Sequence, residues 1–496
     1  MVSGFPVAAE KNEKKIDWTY IKYKYIYMNP GNGCRRVLSW AHVALVVLVY
    51  WISIFGSQLF ADSSFTGINE LPGGLVQLQI SSATDMLYLL ESSSTLKGWT
   101  PLAMLSSASG AIQYTDAPFS DENPRFYRLQ NTQPTNSVYW QTAQQTHGYI
   151  VSNLLTSYHS YSYTTNIGTA YEWYNVSQIY ADEAMVFGGN AGYAAYMNNT
   201  YAWMNNMWDN GNPVGGYFSA ANVNGTGQGA GKYVDDNSLS GNVYLDCYSV
   251  TTGVTRTNYL NSAIAIANWL MNSGQWDNTY GGGFWWSDSK TLKPTQSNGL
   301  AMQFFLRLYQ ITGQTNYQSW ANSVRIWLET QMYDSTNGLY VWEIATNGTT
   351  SGAKSYIEFT YDNSIMIEAD LLYSQVMNDP AYLTKAEALA TNLTAALWNN
   401  TYDAYYFNTA DGRVNPCWCG WASQSLIRLY QADGNATWLN YAQGNINYMN
   451  SHLRNAATGC YYQFCNMDGS NLQTNSIQGV DQAWMERIQA MISLYR

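Results

Sequence analysis

The chain has 496 residues and carries 23 Lys+Arg against 34 Asp+Glu, a formal net charge of −11. Phosphate binding needs a basic face, and the residues beyond the N-terminus offer none, so nucleic acid is excluded as a partner. The 20 Trp and 42 Tyr suit either a large aromatic core or a carbohydrate surface, since sugars stack on flat apolar faces and need side chains that both donate and accept.

Residues 1–61 read as a targeting region. Leu38 to Ala61 has an apolar heart from Ala41 to Phe55, preceded by Arg35 and Arg36. That is long for a signal h-region and short for a spanning helix. Translation from Met28 would make it an ordinary signal peptide cut after Ala61, and a membrane anchor retained at 38–61 is the alternative. Either way the remainder is exported, to the medium or to the cell surface. Residues 66–131 read as a small all-β module: LVQLQIS and MLYLLES alternate in polarity, and turns follow at STLKGW and SSASGA. Residues 132–137 are polar, contain proline and form a linker.

From Val138 the periodicity becomes helical and repeats. Tyr248, Tyr309, Tyr373, Tyr430 and Tyr495 stand at the same point of similar segments, 61, 64, 57 and 65 residues apart. A period near sixty holds two helices and their loops. With an opening helix near Gln141 to Leu155, the segments make twelve helices in six hairpins. The fold class this predicts for 138–496 is all-α, an (α/α)6 toroid of six inner helices ringed by six outer ones. An open six-hairpin solenoid is the structural alternative. Registering the hairpins on their tyrosines aligns Asp236 with Ser297, Tyr361, Trp418 and Ala483, with Trp173-Tyr174-Asn175 in the corresponding place of the first copy. These positions fall at inner-helix starts on one rim, where polar and aromatic residues crowd a cleft.

Asp235 and Asp236 stand side by side where an apolar helix begins. The helix N-terminus favours both anions, while each disfavours ionisation of the other, so their pKa values separate. Glycoside cleavage uses such a pair, one ionised and one protonated; a plain N-cap pair is the alternative. Neighbouring helical residues project about 100° apart. Two such carboxyls reach the ~5–5.5 Å of a retaining site but hardly the ~6.5–9.5 Å of an inverting one.

Trp285 and Trp286 follow Gly281, Gly282 and Gly283, which suits a loop passing close to another surface; one ring can be core and the other a sugar platform. Asn298 is either a helix N-cap or a ligand to sugar hydroxyls. Tyr361 and Trp418 are expected in the cleft, Glu343 and Glu358 in solvent. His147, His159 and His452 are dispersed, and Cys417, Cys419, Cys460 and Cys465 have a spacing unusual for zinc, so no metal and no cofactor is expected. Export permits disulfides, and Cys460 with Cys465 could close a short loop.

Tyr233-x-Asp235-Asp236, Gly282-Gly-Phe-Trp-Trp-Ser287, Ser297-Asn-Gly299 and Thr360-Tyr361 resemble glycoside hydrolase family 76, the endo-acting α-1,6-mannanases and their fungal cell-wall relatives, over Val138 to Arg496. The resemblance implies a toroid and a retaining, endo-acting cleavage of α-1,6-mannosidic linkages in mannan-type polysaccharide, with Asp235 as nucleophile and Asp236 as general acid/base. Two departures stand out. Leu239 occupies a place where the family has an aromatic residue, and Tyr361-Asp362-Asn363 replaces Tyr-Asn-Gln, so Asp362 adds a carboxylate near the cleft. The candidate substrate-binding residues are Trp173, Asn175, Trp285, Trp286, Asn298, Tyr361, Asp362 and Trp418. The module at 66–131 resembles small bacterial extracellular β-sandwich modules. A monomer is expected. The alternative functions are a transglycosylase on α-mannan or mannosylated glycans and a non-catalytic carbohydrate-binding surface protein, against which the intact Asp pair weighs. A lyase or glucuronyl hydrolase would want a basic cleft, which the low Lys+Arg count does not favour.

Overall fold

Among the described residues, twelve α-helices run from Val138 to Ile492. The computed structural model describes residues 63–496 apart from 73, 95, 118–124 and 166, together with the backbone of Val46 and Val47. The targeting region expected at 1–61 lies outside them, those two residues excepted. The helices are α1 (Val138–Asn153), α2 (Glu172–Phe187), α3 (Ala194–Met204), α4 (Val234–Val250), α5 (Gly253–Asn272), α6 (Thr295–Thr312), α7 (Thr315–Trp327), α8 (Thr360–Val376), α9 (Pro380–Leu397), α10 (Pro416–Asp433), α11 (Ala436–His452) and α12 (Gly479–Ile492). Each even-numbered helix packs on the next, and α12 closes on α2. The odd-numbered helices lie outside this ring, α1 against α12 and the rest against the inner helix before them. The ring is closed, so the toroid holds and the open solenoid does not.

Local chemistry sets the helix ends. Asn415 accepts a hydrogen bond from the Trp418 amide and Pro416 takes the first helical position, which starts α10. Gly313 and Gly434 end α6 and α10 in the left-handed conformation, at φ 68° and 74°. Inner helices approach so closely that a Cβ on Gly241 would lie 2.4 Å from the Phe304 ring. Tyr248, Tyr309, Tyr373 and Tyr430 stand in the closing turns of α4, α6, α8 and α10, while Tyr495 follows the end of α12 and meets Tyr430 edge-on at 5.3 Å.

A second repeat fixes the rim. The fourth residue of five inner helices, Asn175, Asn237, Asn298, Asn363 and Gln482, is a buried amide. Its oxygen accepts the backbone N–H of one rim-loop residue, and its nitrogen donates to that residue's carbonyl and to the carbonyl four residues earlier. For Asn298 these are Phe284 N at 2.7 Å, Phe284 O at 3.1 Å and Pro294 O at 2.9 Å. The same triplet recurs at Tyr161, Tyr217, Tyr340 and Tyr461. In α10 Cys419 takes that place, and Asn445 of α11 accepts the Tyr405 N–H from outside. This register aligns Asp236 with Ser297, Asp362, Trp418, Asp481 and Tyr174. It corrects Tyr361 and Ala483. Tyr373 stands one residue nearer its helix start than its counterparts, and Tyr495 lies past its helix, so both misregister.

Ahead of the toroid lie β1 (Val46–Val47), β2 (Ser64–Leu71), β3 (Leu75–Ser81), β4 (Tyr88–Ser93), β5 (Thr100–Leu105), β6 (Ala111–Asp116) and β7 (Phe126–Asn131). They form two sheets, ordered β1-β7-β4-β5 and β2-β3-β6. Val76, Leu78 and Ile80 of one sheet share a small core with Leu90 and Tyr127 of the other. A Cβ on Gly98 would lie 1.8 Å from the Ala432 carbonyl oxygen, so these strands seat against the C-terminal end of α10, away from the rim. The five cysteines among the described residues are buried and unbridged. The disulfide considered for Cys460 and Cys465 is absent: Cys465 meets the Tyr448 hydroxyl at 3.5 Å, and Cys460 meets Thr458 at 3.1 Å.

Candidate active site

Tyr233 is extended and α4 begins at Val234, which sets Asp235 and Asp236 in the first helical turn. The Val234 N–H donates to the Trp286 carbonyl at 2.8 Å, tying the tryptophan loop to this helix start. Gly281, Gly282 and Gly283 have φ of 80°, 121° and 86°, and a Cβ on Gly283 would lie 2.4 Å from Trp327. Only glycine makes that passage. The two tryptophans then part. Trp285 is 3% exposed, donates its indole N–H to Asp277 at 2.8 Å and lies under Lys293 Nζ. It is core, which corrects its place among the substrate-binding residues. Trp286 is 36% exposed, and its indole N–H donates to Asp235 Oδ2 at 3.0 Å.

The carboxyls separate as the pair logic requires. Burial raises Asp235 to about 6, opposed by the Trp286 indole and by the amides of the helix start. Burial and the neighbouring charge of Asp235 raise Asp236 well above the ordinary carboxylate range. Asp235 is therefore the one ionised near neutrality, and Asp236 the one that keeps a proton.

Three more carboxyls gather at this rim. Asp362, in the first turn of α8, is fully buried, and burial raises it strongly against the opposing backbone N–H of Gln296. Glu343 is half-buried and raised by burial, where solvent exposure was expected. Glu172 opens α2 and is fully buried. Among the described residues, no Lys, Arg or His stands close enough to offset any of the five. Glu358 differs: it is buried as a loop tie, accepting from Asn337 and Thr409 at 2.9 Å each.

The same rim carries an aromatic wall. Trp173 and Trp418 stack with ring centres 5.8 Å apart at 29°, and Trp418 meets Tyr361 at 4.8 Å. Tyr361 leans on Phe359 and Phe407. Trp173 and Tyr361 are buried, whereas Trp418 is half-buried. Asn175 and Asn298 do not join them. Both amides commit oxygen and nitrogen to backbone, as described for the rim, so their place among substrate ligands is corrected. Glu172 escaped the sequence reading, and Glu343 entered it only as a solvated loop acid. Glu172 directly precedes Trp173, and the tyrosine register carried no signal for a residue two places upstream of the aligned position.

His147, Asp182 and Glu486 form the one cluster with metal-like spacing among the described residues. His147 Nδ1 lies 3.0 Å from Glu486 and 3.4 Å from Asp182. Burial would lower the imidazole's pKa, but the two carboxyls outweigh it and raise it to about 9. The cluster thus acts as a buried ionic tie among α1, α2 and α12, where the ring closes.

The model of Glycosyl hydrolase family 76 matches residues 141–418. No curated protein matches the chain. Among solved structures, a selenomethionine derivative of the GH76 alpha-mannanase of Bacteroides thetaiotaomicron superimposes with TM-score 0.63 and 20% identity, covering 73% of this chain and 98% of that one. An alpha-1,6-mannanase of a Salegentibacter species, inactive with two consecutive aspartates changed to asparagine and complexed with alpha-1,6-mannotriose, gives 0.58 and 17%, covering 72% and 100%. Cellobiose 2-epimerase from Bacillus thermoamylovorans gives 0.56 and 10%, covering 70% and 99%. The toroid thus serves more than one chemistry, and function has to be argued from the site.

Proposed function

Because the chain belongs to glycosyl hydrolase family 76, we propose that this glycoside hydrolase cleaves α-1,6-mannosidic linkages within mannan-type polysaccharide, with retention of anomeric configuration. The observation that carries the reading is the consecutive carboxyl pair in the first turn of α4, with the lower pKa on Asp235. In the first step Asp235 Oδ bonds to the anomeric carbon while the glycosidic C–O bond breaks, and Asp236 gives its proton to the departing oxygen. In the second, Asp236 takes a proton from water as that water attacks the anomeric carbon and releases Asp235. Trp286 and the half-buried Trp418 supply faces for sugar rings, Trp173 and Tyr361 brace Trp418 from behind, and Asp362 adds an acid to the same rim. Among the described residues no Lys, Arg or His offsets these carboxyls, which suits a neutral glycan. The Salegentibacter neighbour, inactivated at two consecutive aspartates and holding alpha-1,6-mannotriose, supports both the pair and the linkage. The apolar stretch at 38–61 supports work outside the cytoplasm, checked by detecting the chain in the medium or on the cell surface.

The test incubates the full chain with linear α-1,6-mannan and follows new reducing ends. Internal cleavage should release a ladder of oligosaccharides. Asp235→Ala and Asp236→Ala should each abolish turnover with the fold intact, and azide should rescue Asp236→Ala on a substrate with an activated leaving group. Full activity of either variant on mannan would overturn the assignment.

A further inference from the structure

A three-stranded sheet on the rim carries the aromatic wall outward from the reacting pair. Leu292–Pro294 pairs with Glu343–Ala345, which pairs in turn with Ala353–Ser355. The Trp286 N–H donates to the Leu292 carbonyl at 2.9 Å, and the Thr295 N–H donates to the Trp342 carbonyl at 2.8 Å. The sheet therefore joins the tryptophan loop to the start of α6. Its third strand runs on through Tyr356 and Phe359 into α8, which opens at Thr360. Trp342 is half-buried and meets Phe359 at 5.3 Å, and Phe359 leans on Tyr361 of the wall.

The ladder slips where it reaches Tyr356. Glu343 pairs with Ser355, yet the neighbouring Trp342 donates its N–H to the Ile357 carbonyl at 2.9 Å. Tyr356 is thus an extra residue on its strand, as in a β-bulge, a device that re-aims a side chain. At 64% exposure it is the most exposed aromatic residue among those described. Such a ring adds little to the fold, and an aromatic face open to solvent is what a sugar ring stacks on. Three hydrogen-bonded steps of about 4.8 Å separate the Trp286 backbone from this strand, roughly 14 Å, more than one sugar ring spans.

We propose that Tyr356 is an outer sugar-stacking platform, a subsite for a further unit of the neutral glycan chain that is cut at Asp235 and Asp236. This rests on the reading of the chain as a mannan-cleaving enzyme. Trp286 and Trp418 take units beside the reacting pair, and Tyr356 takes one farther along the same chain. Its contact therefore counts only on substrates long enough to reach it.

The experiment compares the full wild-type chain with Tyr356→Ala and Tyr356→Phe. kcat/KM is measured on linear α-1,6-mannan and on the shortest linear α-1,6-mannooligosaccharide that the wild type cleaves. Losing the ring should lower the ratio of polymer to short-substrate kcat/KM about two- to tenfold. Tyr356→Phe keeps the ring and should restore that ratio, and the exposed position should leave both melting temperatures near wild type. An unchanged ratio in Tyr356→Ala, or a Tyr356→Phe as impaired as Tyr356→Ala, overturns the platform. A second arm follows retardation in native gels containing linear α-1,6-mannan, for Asp235→Ala with and without Tyr356→Ala. If the wild type leaves mannan uncut but Tyr356→Ala weakens retardation, the functional reading fails and the platform stands. If mannan is cut and Tyr356→Ala changes neither the ratio nor the retardation, only the platform fails. Mannan that is neither cut nor bound overturns both.

Discussion

Replacing Trp286 by Phe removes one hydrogen bond and little else. The ring remains for a sugar to stack on, and 36% exposure of the tryptophan keeps the packing loss small. What goes is the indole N–H that donates to Asp235 Oδ2 at 3.0 Å, the one side chain that favours the ionised form of this carboxyl against burial. A hydrogen bond to a charged group contributes about 1.5–3 kcal/mol. The lower end applies to a half-exposed donor, and about 1.4 kcal/mol corresponds to one pH unit. Asp235 should therefore rise from about 6 to roughly 7. In kcat/KM measured against pH on a linear α-1,6-mannooligosaccharide, the acid limb should follow ionisation of Asp235, the proposed nucleophile, and move up by that amount. The loss in Trp286→Phe should be about tenfold larger below the limb than on the plateau. An acid limb that moves by less than about 0.3 pH unit, or a loss equal at every pH, would refute the role given to this bond.

Three further outcomes follow from the same geometry. Asn298→Ala leaves the buried Phe284 N–H and carbonyl unpaired, which should destabilise the fold by roughly 2–5 kcal/mol and slow turnover by displacing Trp286 two residues on; an unchanged denaturant midpoint would contradict the clamp. Trp418→Ala should raise KM or lower kcat with only a modest fall in melting temperature, because the ring is half-buried between Trp173 and Tyr361; a collapsed melting temperature with unchanged KM would make Trp418 a packing residue. Stability should fall as pH rises. Asp235 at about 6, Asp370 at about 7 and Asp481 at about 8 hold protons when folded that the unfolded chain has already released. His147, raised to about 9, adds stability that is complete below its unfolded value near 6.5 and lost as pH passes 9. The melting temperature should thus be higher at about pH 5.5 than at about pH 8.5, and the reverse order would refute the sign.

The sequence by itself determined the toroid and the consecutive carboxyl pair at a helix start, because both are written locally. A period near sixty residues needs only one helical hairpin to repeat itself, and Asn415 with Pro416, or Asp235 with Asp236, announces a helix start through groups a few residues apart. The contents of the rim were decided by tertiary structure. Trp285 and Trp286 are chemically identical neighbours, and only the glycine passage against Trp327, with Asp277 on one side and Asp235 on the other, turns one into the core and one toward the cleft. Asn175 and Asn298 have the right chemistry to bind hydroxyls, but buried backbone groups from distant loops took both ends of each amide. A buried polar group must find a partner, and which partner it finds depends on chain segments that the local pattern does not name. For the same reason Glu172 and Glu343 became part of the acidic cluster only when the closed ring brought α2, α4 and α8 to one rim, with no cation among the described residues beside them.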